Sequence, residues 1–390
     1  MSCVASPYNE EVKVNRFVTI YDTTLRDGEQ TPGVRFSVDD KVLIARKLDE
    51  FGIHEIEAGF PVVSEEERVA VKKVASERLK AKVLALCRAL RNDVDVALSC
   101  DVDGVIIFIP LSDLHLKYKL KISYEQAVDC AVNAVEYAKE HGIFTQITAE
   151  DATRTDVERL IGLFKRAKEY GADRFGLADT VGAIAPSAFK KLVSFVKEQV
   201  KGTISVHCHN DLGLAVANSL AAYEAGADAI SVSINGLGER CGNAALEEVV
   251  MALYCLYGVD LGFKLYMLKE LSELVEKLSG VKVHICKPIV GENAFKHESG
   301  IHVAAVLKNP FTYECYSPEL VGMHRQIVFG KHSGLSGIKE VLESRGLKLS
   351  DDKLHELLNA VKAYDERKGP LTVEQLIEMA RGLLRGVNTR

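Results

Sequence analysis

Four times in this chain a charged amphipathic stretch ends at a glycine, and a short apolar stretch follows within a few residues. Asp49-Glu50-Phe51-Gly52 precedes Glu55-Ile56-Glu57-Ala58, and Glu140-His141-Gly142 precedes Phe144-Thr145-Gln146-Ile147. Glu169-Tyr170-Gly171 precedes Phe175-Gly176-Leu177, and Glu224-Ala225-Gly226 precedes Ile230-Ser231-Val232. Glycine suits the left-handed position just past a helix end, so each is read as a helix-to-strand joint. The same patterning predicts eight strands, beginning near Phe17, His54, Val83, Gly104, Phe144, Arg174, Ile204 and Ala229. Stretches of helical periodicity separate them. Eight strands alternating with helices over roughly 240 residues fit a (β/α)8 TIM barrel. A doubly wound open sheet is the competing α/β architecture, and strand counting alone does not exclude it.

A barrel carries its polar functional residues at the C-terminal ends of several strands. This chain does so repeatedly. The first strand runs into Asp22-Thr23-Thr24-Leu25-Arg26-Asp27-Gly28-Glu29-Gln30 and the second into Glu57. The third ends near Arg88, the fifth in Thr148-Ala149-Glu150-Asp151, and the sixth in Asp179-Thr180. The seventh, Thr203 to His209, ends in His207-Cys208-His209; the eighth runs into Gly236-Leu237-Gly238-Glu239-Arg240-Cys241-Gly242-Asn243. After residue 260 the pattern changes. Leu268–Leu278 and Leu354–Leu384 read as helical, around a Gly- and His-rich stretch holding His297 and His302. The expected organisation is a catalytic barrel over 17–260 and a mainly helical C-terminal region over 261–390.

Side chains on a strand alternate faces, so His207 and His209 point the same way while Ile204, Val206 and Cys208 point the other. Two imidazoles on one face can grip one metal ion. With Asp27 they make a two-histidine, one-carboxylate set that leaves positions open for water or substrate. Such a set admits Mg2+, Mn2+, Zn2+ or Fe2+. Arg26 can stabilise negative charge developing beside the ion, or form a salt bridge with Glu57 or Glu150. Glu150 and Thr180 can hydrogen-bond a bound carboxylate, and His302 is a candidate acid or base. The glycine-rich stretch after strand eight has neither the lysine of a P-loop nor a dinucleotide fingerprint.

Composition narrows the class. The chain has 390 residues, 47% hydrophobic and 27% charged, with a net charge of −6. Acidic and basic residues are interspersed, so nucleic-acid binding has no support. No apolar run reaches about 18 residues, and Met1–Arg16 lacks the apolar core of a signal peptide. Nine cysteines lie scattered with no C-x-x-C pair, which predicts a reduced cytoplasmic protein with free thiols.

These motifs resemble the metal-dependent Claisen-condensing barrel enzymes: 2-isopropylmalate, homocitrate and citramalate synthases. The resemblance spans residues 17–340. It runs from Asp22–Gln30 through His207-Cys208-His209-Asn210-Asp211 and Gly236–Arg240 to His297-Glu298-Ser299-Gly300-Ile301-His302 and Gly330-Lys331-His332-Ser333-Gly334. It implies that acetyl-CoA condenses with a 2-oxo acid and that thioester hydrolysis releases CoA. By motif position Asp27, His207 and His209 would ligate the metal, with Asn243 in its surroundings. Arg26 would stabilise the developing alkoxide, and Thr148, Glu150 and Thr180 would hold the oxo acid. Glu239 and His302 would join the acid–base apparatus. The region after the barrel would reach over a partner's active site in a homodimer.

The short C-terminal region and Gly176-Leu177-Ala178-Asp179-Thr180 look like prokaryotic homocitrate synthases. Against that, fungal-type homocitrate synthases place Arg at Gln146 and His near Leu90. Were 2-oxoglutarate the substrate, another cation must meet its distal carboxylate, and Arg88 is the candidate, with Arg154 and His115 behind it. A hydrophobic pocket would instead favour 2-oxoisovalerate, because burying an unpaired carboxylate is costly. A hydroxymethylglutaryl-CoA-type lyase is disfavoured because its Gly-Gly-Cys-Pro loop is absent. The strand–helix alternation argues against an iron-dependent oxygenase.

Overall fold

A computed structural model describes residues 3–11 and 14–385. The chain forms two compact units, Pro7–Val283 and His284–Arg390 with Met1–Ser6. The first is a closed eight-stranded parallel barrel in sequential order. Its strands are β1 (Thr19–Asp22), β2 (Glu55–Gly59), β3 (Lys82–Arg88), β4 (Gly104–Pro110), β5 (Phe144–Glu150), β6 (Arg174–Asp179), β7 (Ile204–Cys208) and β8 (Ala229–Val232). Closure is explicit in the register: β1 pairs β8 from Thr19↔Ala229 to Asp22↔Val232, and pairs β2 through Tyr21↔Glu55. Each strand begins within two residues of its predicted position, and the open-sheet alternative is excluded.

The local reasons are those the sequence carries. Gly52, Gly142, Gly171 and Gly226 all take positive φ, between 75° and 104°, a conformation that side chains with a Cβ rarely adopt. Helix α1 (Val38–Phe51) starts at a capping box in which Ser37 and Asp40 exchange side-chain and backbone hydrogen bonds. Helix α2 (Glu65–Ala75) starts at Ser64, whose side chain accepts from the Glu67 amide. Ile204, Val206 and Cys208 are buried on the outward face of β7, against the helices. Inside the barrel, Tyr21, Leu84, Leu86, Ile106 and Ala229 cluster, with Phe60, Phe108 and Phe144 packed against them.

The helix Leu268–Ser279 belongs to the barrel unit, so the units divide at 283/284, beyond the expected change at 260/261. Asn235 Nδ2 donates to Ser272 O, and Lys47 pairs with Glu270, which fastens this helix to the barrel. The second unit is mostly helical, with its own core of Phe329, Ile338, Leu357, Val361 and Leu376. It also holds a small three-stranded sheet that periodicity did not show, because two of its strands are only two residues long. The expected set of nine free thiols is corrected. Seven cysteines are free, whereas Cys3 and Cys255 are disulfide-bonded. The sequence test looked for C-x-x-C spacing, which detects only pairs close in the chain. No helix among the described residues is long and apolar enough to cross a membrane.

Candidate active site

The turn after β1 brings Asp27 over the barrel mouth, and the end of β7 brings His207 and His209 to meet it. His207 Nε2 lies 3.2 Å from Asp27 Oδ2, His209 Nε2 lies 3.7 Å from it, and the two Nε2 atoms are 3.1 Å apart. Among the described residues these three form the one group of at least three His, Cys, Asp or Glu side chains placed to hold an ion. Donors about 2.1 Å from a single ion, at right or tetrahedral angles, lie about 3.0–3.4 Å from one another. Two of the observed spacings fall in that range and the third, 3.7 Å, lies 0.3 Å beyond it, so the residues fit a divalent metal.

The surroundings prepare the donors. His207 Nδ1 is 2.9 Å from Ser231 Oγ on β8. With the ring donating there, Nε2 presents a bare lone pair toward Asp27. Burial and the neighbouring His207 push the His209 pKa down to about 3, against the pull of Asp27, so this imidazole is neutral at ordinary pH. Burial disfavours the charge on Asp27, yet Arg26 and both histidines outweigh it and hold its carboxyl far below the usual range. Asp27 Oδ1 also accepts from the Glu239 amide, 3.1 Å away, tying the β1 turn to the loop after β8.

Arg26 is gripped on three sides. Its Nη1 donates to Asp27 Oδ2 at 2.9 Å and to Gln30 Oε1 at 3.2 Å, and its Nε lies 3.0 Å from Glu57 Oε1. Glu57, rather than Glu150, is therefore its structural partner. Thr23 Oγ1 donates to the other oxygen of Glu57 at 2.6 Å. A guanidinium held this way is already aimed when charge develops in front of it.

A cavity of about 210 Å³ opens over the group, and Arg26, Asp27, Thr148, Glu150, Thr180, His207, His209 and Glu239 all line it. Glu150 is held by Lys119, whose Nζ donates to both carboxylate oxygens at 2.6 and 2.8 Å. Thr180 Oγ1 accepts from the Asp151 amide at 2.8 Å. The backbone of Asn243 pairs with that of His209 in an isolated antiparallel β-bridge, and its Nδ2 donates to Leu237 O while its buried Oδ1 has no hydrogen-bond partner.

Two predicted residues of the barrel unit, Arg88 and Asn243, are not among those that line the cavity. Arg88 Nε and Nη2 make a two-point pair with buried Asp93, at 2.8 and 2.9 Å. His302 belongs to the second unit, on the helix Gly300–Lys308, with its ring 4.0 Å from that of Tyr313. Of the two residues placed behind Arg88, His115 sits 3.5 Å from Glu150 Oε1, and Arg154 Nε donates to Asp151 Oδ1 at 2.7 Å. The sequence reading missed Lys119 as a cavity residue. It lies in the turn Leu116–Leu120 after β4, the one strand whose end showed no polar signature.

Comparison with known proteins gives the family. Residues 17–275 match the HMGL-like family model. The chain belongs to the HMGL-like family. Residues 289–369 of this HMGL-like chain match a second model, described as homocitrate synthase post-HMGL domain-like. The homocitrate synthase AksA of Methanothermobacter thermautotrophicus is 53% identical, over 94% of each chain. Its counterpart in Methanocaldococcus jannaschii is 51% identical over 98% of this chain and 94% of its own length. The 2-isopropylmalate synthase of M. jannaschii is 50% identical over 96% of this chain and 74% of its own. The resemblance read from the motifs is thus borne out. The barrel also matches a solved HMG-CoA lyase of Bacillus subtilis, with a TM-score of 0.63 and 22% identity, over 70% of this chain and 96% of that one. At that identity the likeness shows the fold alone.

Proposed function

We propose that this HMGL-like chain is a metal-dependent acyltransferase that condenses acetyl-CoA with 2-oxoglutarate to give homocitrate. The observation that carries the reaction class is the convergence of Asp27, His207 and His209 beside a pre-aimed Arg26 in one cavity. Relatives named homocitrate synthase, 51–54% identical over nearly the whole chain, support the product.

Asp27, His207 and His209 would hold a divalent ion, which would supply Lewis acidity to the keto group of the oxo acid. The protein's own groups do the rest. Arg26 offers N–H donors to the oxygen that gains negative charge as the new carbon–carbon bond forms. Thr148, Glu150 and Thr180 position the oxo acid. Glu239 and His302 serve the proton transfers, in which the acetyl methyl gives up a proton and the product hydroxyl gains one. Asn243 offers its free Oδ1 to the metal surroundings. Lys119, in place of Arg88, meets the distal carboxylate, since Lys119 and Arg26 are the Lys and Arg side chains that line the cavity. The active form is a homodimer in the cytoplasm, and light scattering should give twice the chain mass.

CoA release from acetyl-CoA, followed with a thiol reagent in Mg2+ or Mn2+, tests the reading against 2-oxoglutarate, 2-oxoisovalerate and pyruvate. Preference for 2-oxoglutarate is expected. A second reading has its own support: Phe60, Leu86, Ile106 and Phe108 form an apolar wall that suits the branched tail of 2-oxoisovalerate. Preference for that substrate, or for pyruvate, overturns homocitrate synthesis while keeping the reaction class. Asp27→Ala or His209→Ala should nearly abolish turnover in folded protein, and full activity in both would remove the metal assignment.

A further inference from the structure

Lys41 lies on the buried face of α1, among Val42, Ile44, Ala45 and Leu48, with 1% of its surface exposed. A buried ammonium is costly unless each of its three N–H donors finds an acceptor. Here two hydrogen bonds and an ion pair meet it. Lys41 Nζ donates to Leu25 O at 2.9 Å and to Glu67 Oε2 at 2.6 Å, and pairs with Glu29 Oε2 at 2.6 Å. An apolar side chain would pack this position at less cost, so what the lysine adds is direction rather than burial.

Its three partners belong to the segments that build the cavity. Leu25 immediately precedes Arg26 and Asp27, and Glu29 follows them. The other oxygen of Glu29 accepts from the Phe36 amide at 2.8 Å, at the entry to α1. Glu67, in the first turn of α2, accepts with its other oxygen from the amide of cavity-lining Phe60 at 2.9 Å. Glu67 reaches that amide only because residue 59 is glycine, where a Cβ would stand 2.0 Å from Glu67 Oε1.

We propose that Lys41 is a positioning residue for the metal site, gripping the β1 turn on both sides of Arg26–Asp27 and locking it to the tip of β2. The inference rests on the metal-dependent reading above. Calorimetric titration of the full chain with Mn2+ alone tests it, run well below each protein's melting midpoint. Lys41→Met should weaken Mn2+ binding about 10-fold or more while the circular dichroism stays native. Glu29→Gln keeps the Phe36 acceptor but loses the charge that holds Lys41, and should weaken binding at least about 3-fold. It decides the matter where Lys41→Met does not fold. A merely structural lysine would lower the melting midpoint and leave the Mn2+ affinity unchanged. Wild-type binding with both variants within about 2-fold of it overturns this inference alone. A wild type that binds no Mn2+ overturns the metal reading and this inference with it.

Discussion

Arg174 offers the sharpest test of how the barrel interior supports the site. It starts β6 inside the barrel and is 3% exposed. Its Nη2 donates to Glu55 Oε2 at 2.6 Å, and its Nε donates to Gln146 Oε1. Its guanidinium packs over the rings of Tyr21 and Phe144, at 5.1 and 4.9 Å. Gln146 passes the order upward, since its Nε2 donates to Thr148 Oγ1 at 2.8 Å and both residues line the cavity. Arg174→Met keeps most of the volume and removes every polar contact. Glu55 is then a buried carboxylate whose remaining cation is Lys82, 3.6 Å away. Breaking a buried pair costs about 3–5 kcal/mol, and the residual Lys82 contact points to the lower end, about 3 kcal/mol. At about 2 °C per kcal/mol for a unit of this size, the melting midpoint should fall by about 6 °C. Arg174→Met/Glu55→Gln removes the orphaned charge and should recover about half of that loss. Differential scanning calorimetry of the wild type, the single variant and the double variant reads both numbers. A single variant that loses less than about 1 kcal/mol, or a double variant no better than the single, refutes the reasoning.

Lys119→Met should raise KM for 2-oxoglutarate about 10-fold and leave KM for 2-oxoisovalerate within about 2-fold, because it removes a charged partner that only the dicarboxylate uses. Steady-state kinetics on both substrates checks it, and equal shifts would remove Lys119 from substrate choice. Asp22 is fully buried, and burial raises its pKa to about 7; bonds from Thr24 offset this in part, and the charges of Glu247 and Glu57 add to it. Between the unfolded carboxyl range and about 7 the folded state holds the extra proton, so this stability is complete in acid and is lost as pH rises. Asp22→Asn keeps an acceptor for the Thr24 amide and should flatten the fall in melting midpoint between about pH 4 and pH 7. An unchanged profile counts against a neutral Asp22. His302→Asn should lower kcat and leave Mn2+ affinity unchanged, and an intact kcat would remove His302 from proton transfer.

Much of the site was legible because its signals are local. His207 and His209 are two residues apart on a strand, so the pleat alone places both rings on one face. Asp27 and Arg26 adjoin the end of a strand, where a parallel barrel gathers function. Arg88 satisfied the same rule and still points elsewhere. Asp93, at the start of the next helix, is close enough to take both of its donors. A strand-end rule weighs position and not the competing partner. Lys119 escaped it by lying in the short helical turn Leu116–Leu120, beyond the strand end, and its approach to Glu150 depends on how that turn folds back.

The sequence by itself determined the barrel and its donors, because helix joints, strand alternation and motif spacing act within a few residues. Only the tertiary structure decided which donors meet. Asp27 and His207 are far apart in the chain, and closure of β1 onto β8 brings them within 3.2 Å. Pairing of β1 with β2 and packing of α1 on α2 chose Glu57 for Arg26 and enclosed Lys41 with Glu29 and Glu67. Burial without water then turned those meetings into shifted pKa values and fixed geometry, which no local pattern encodes.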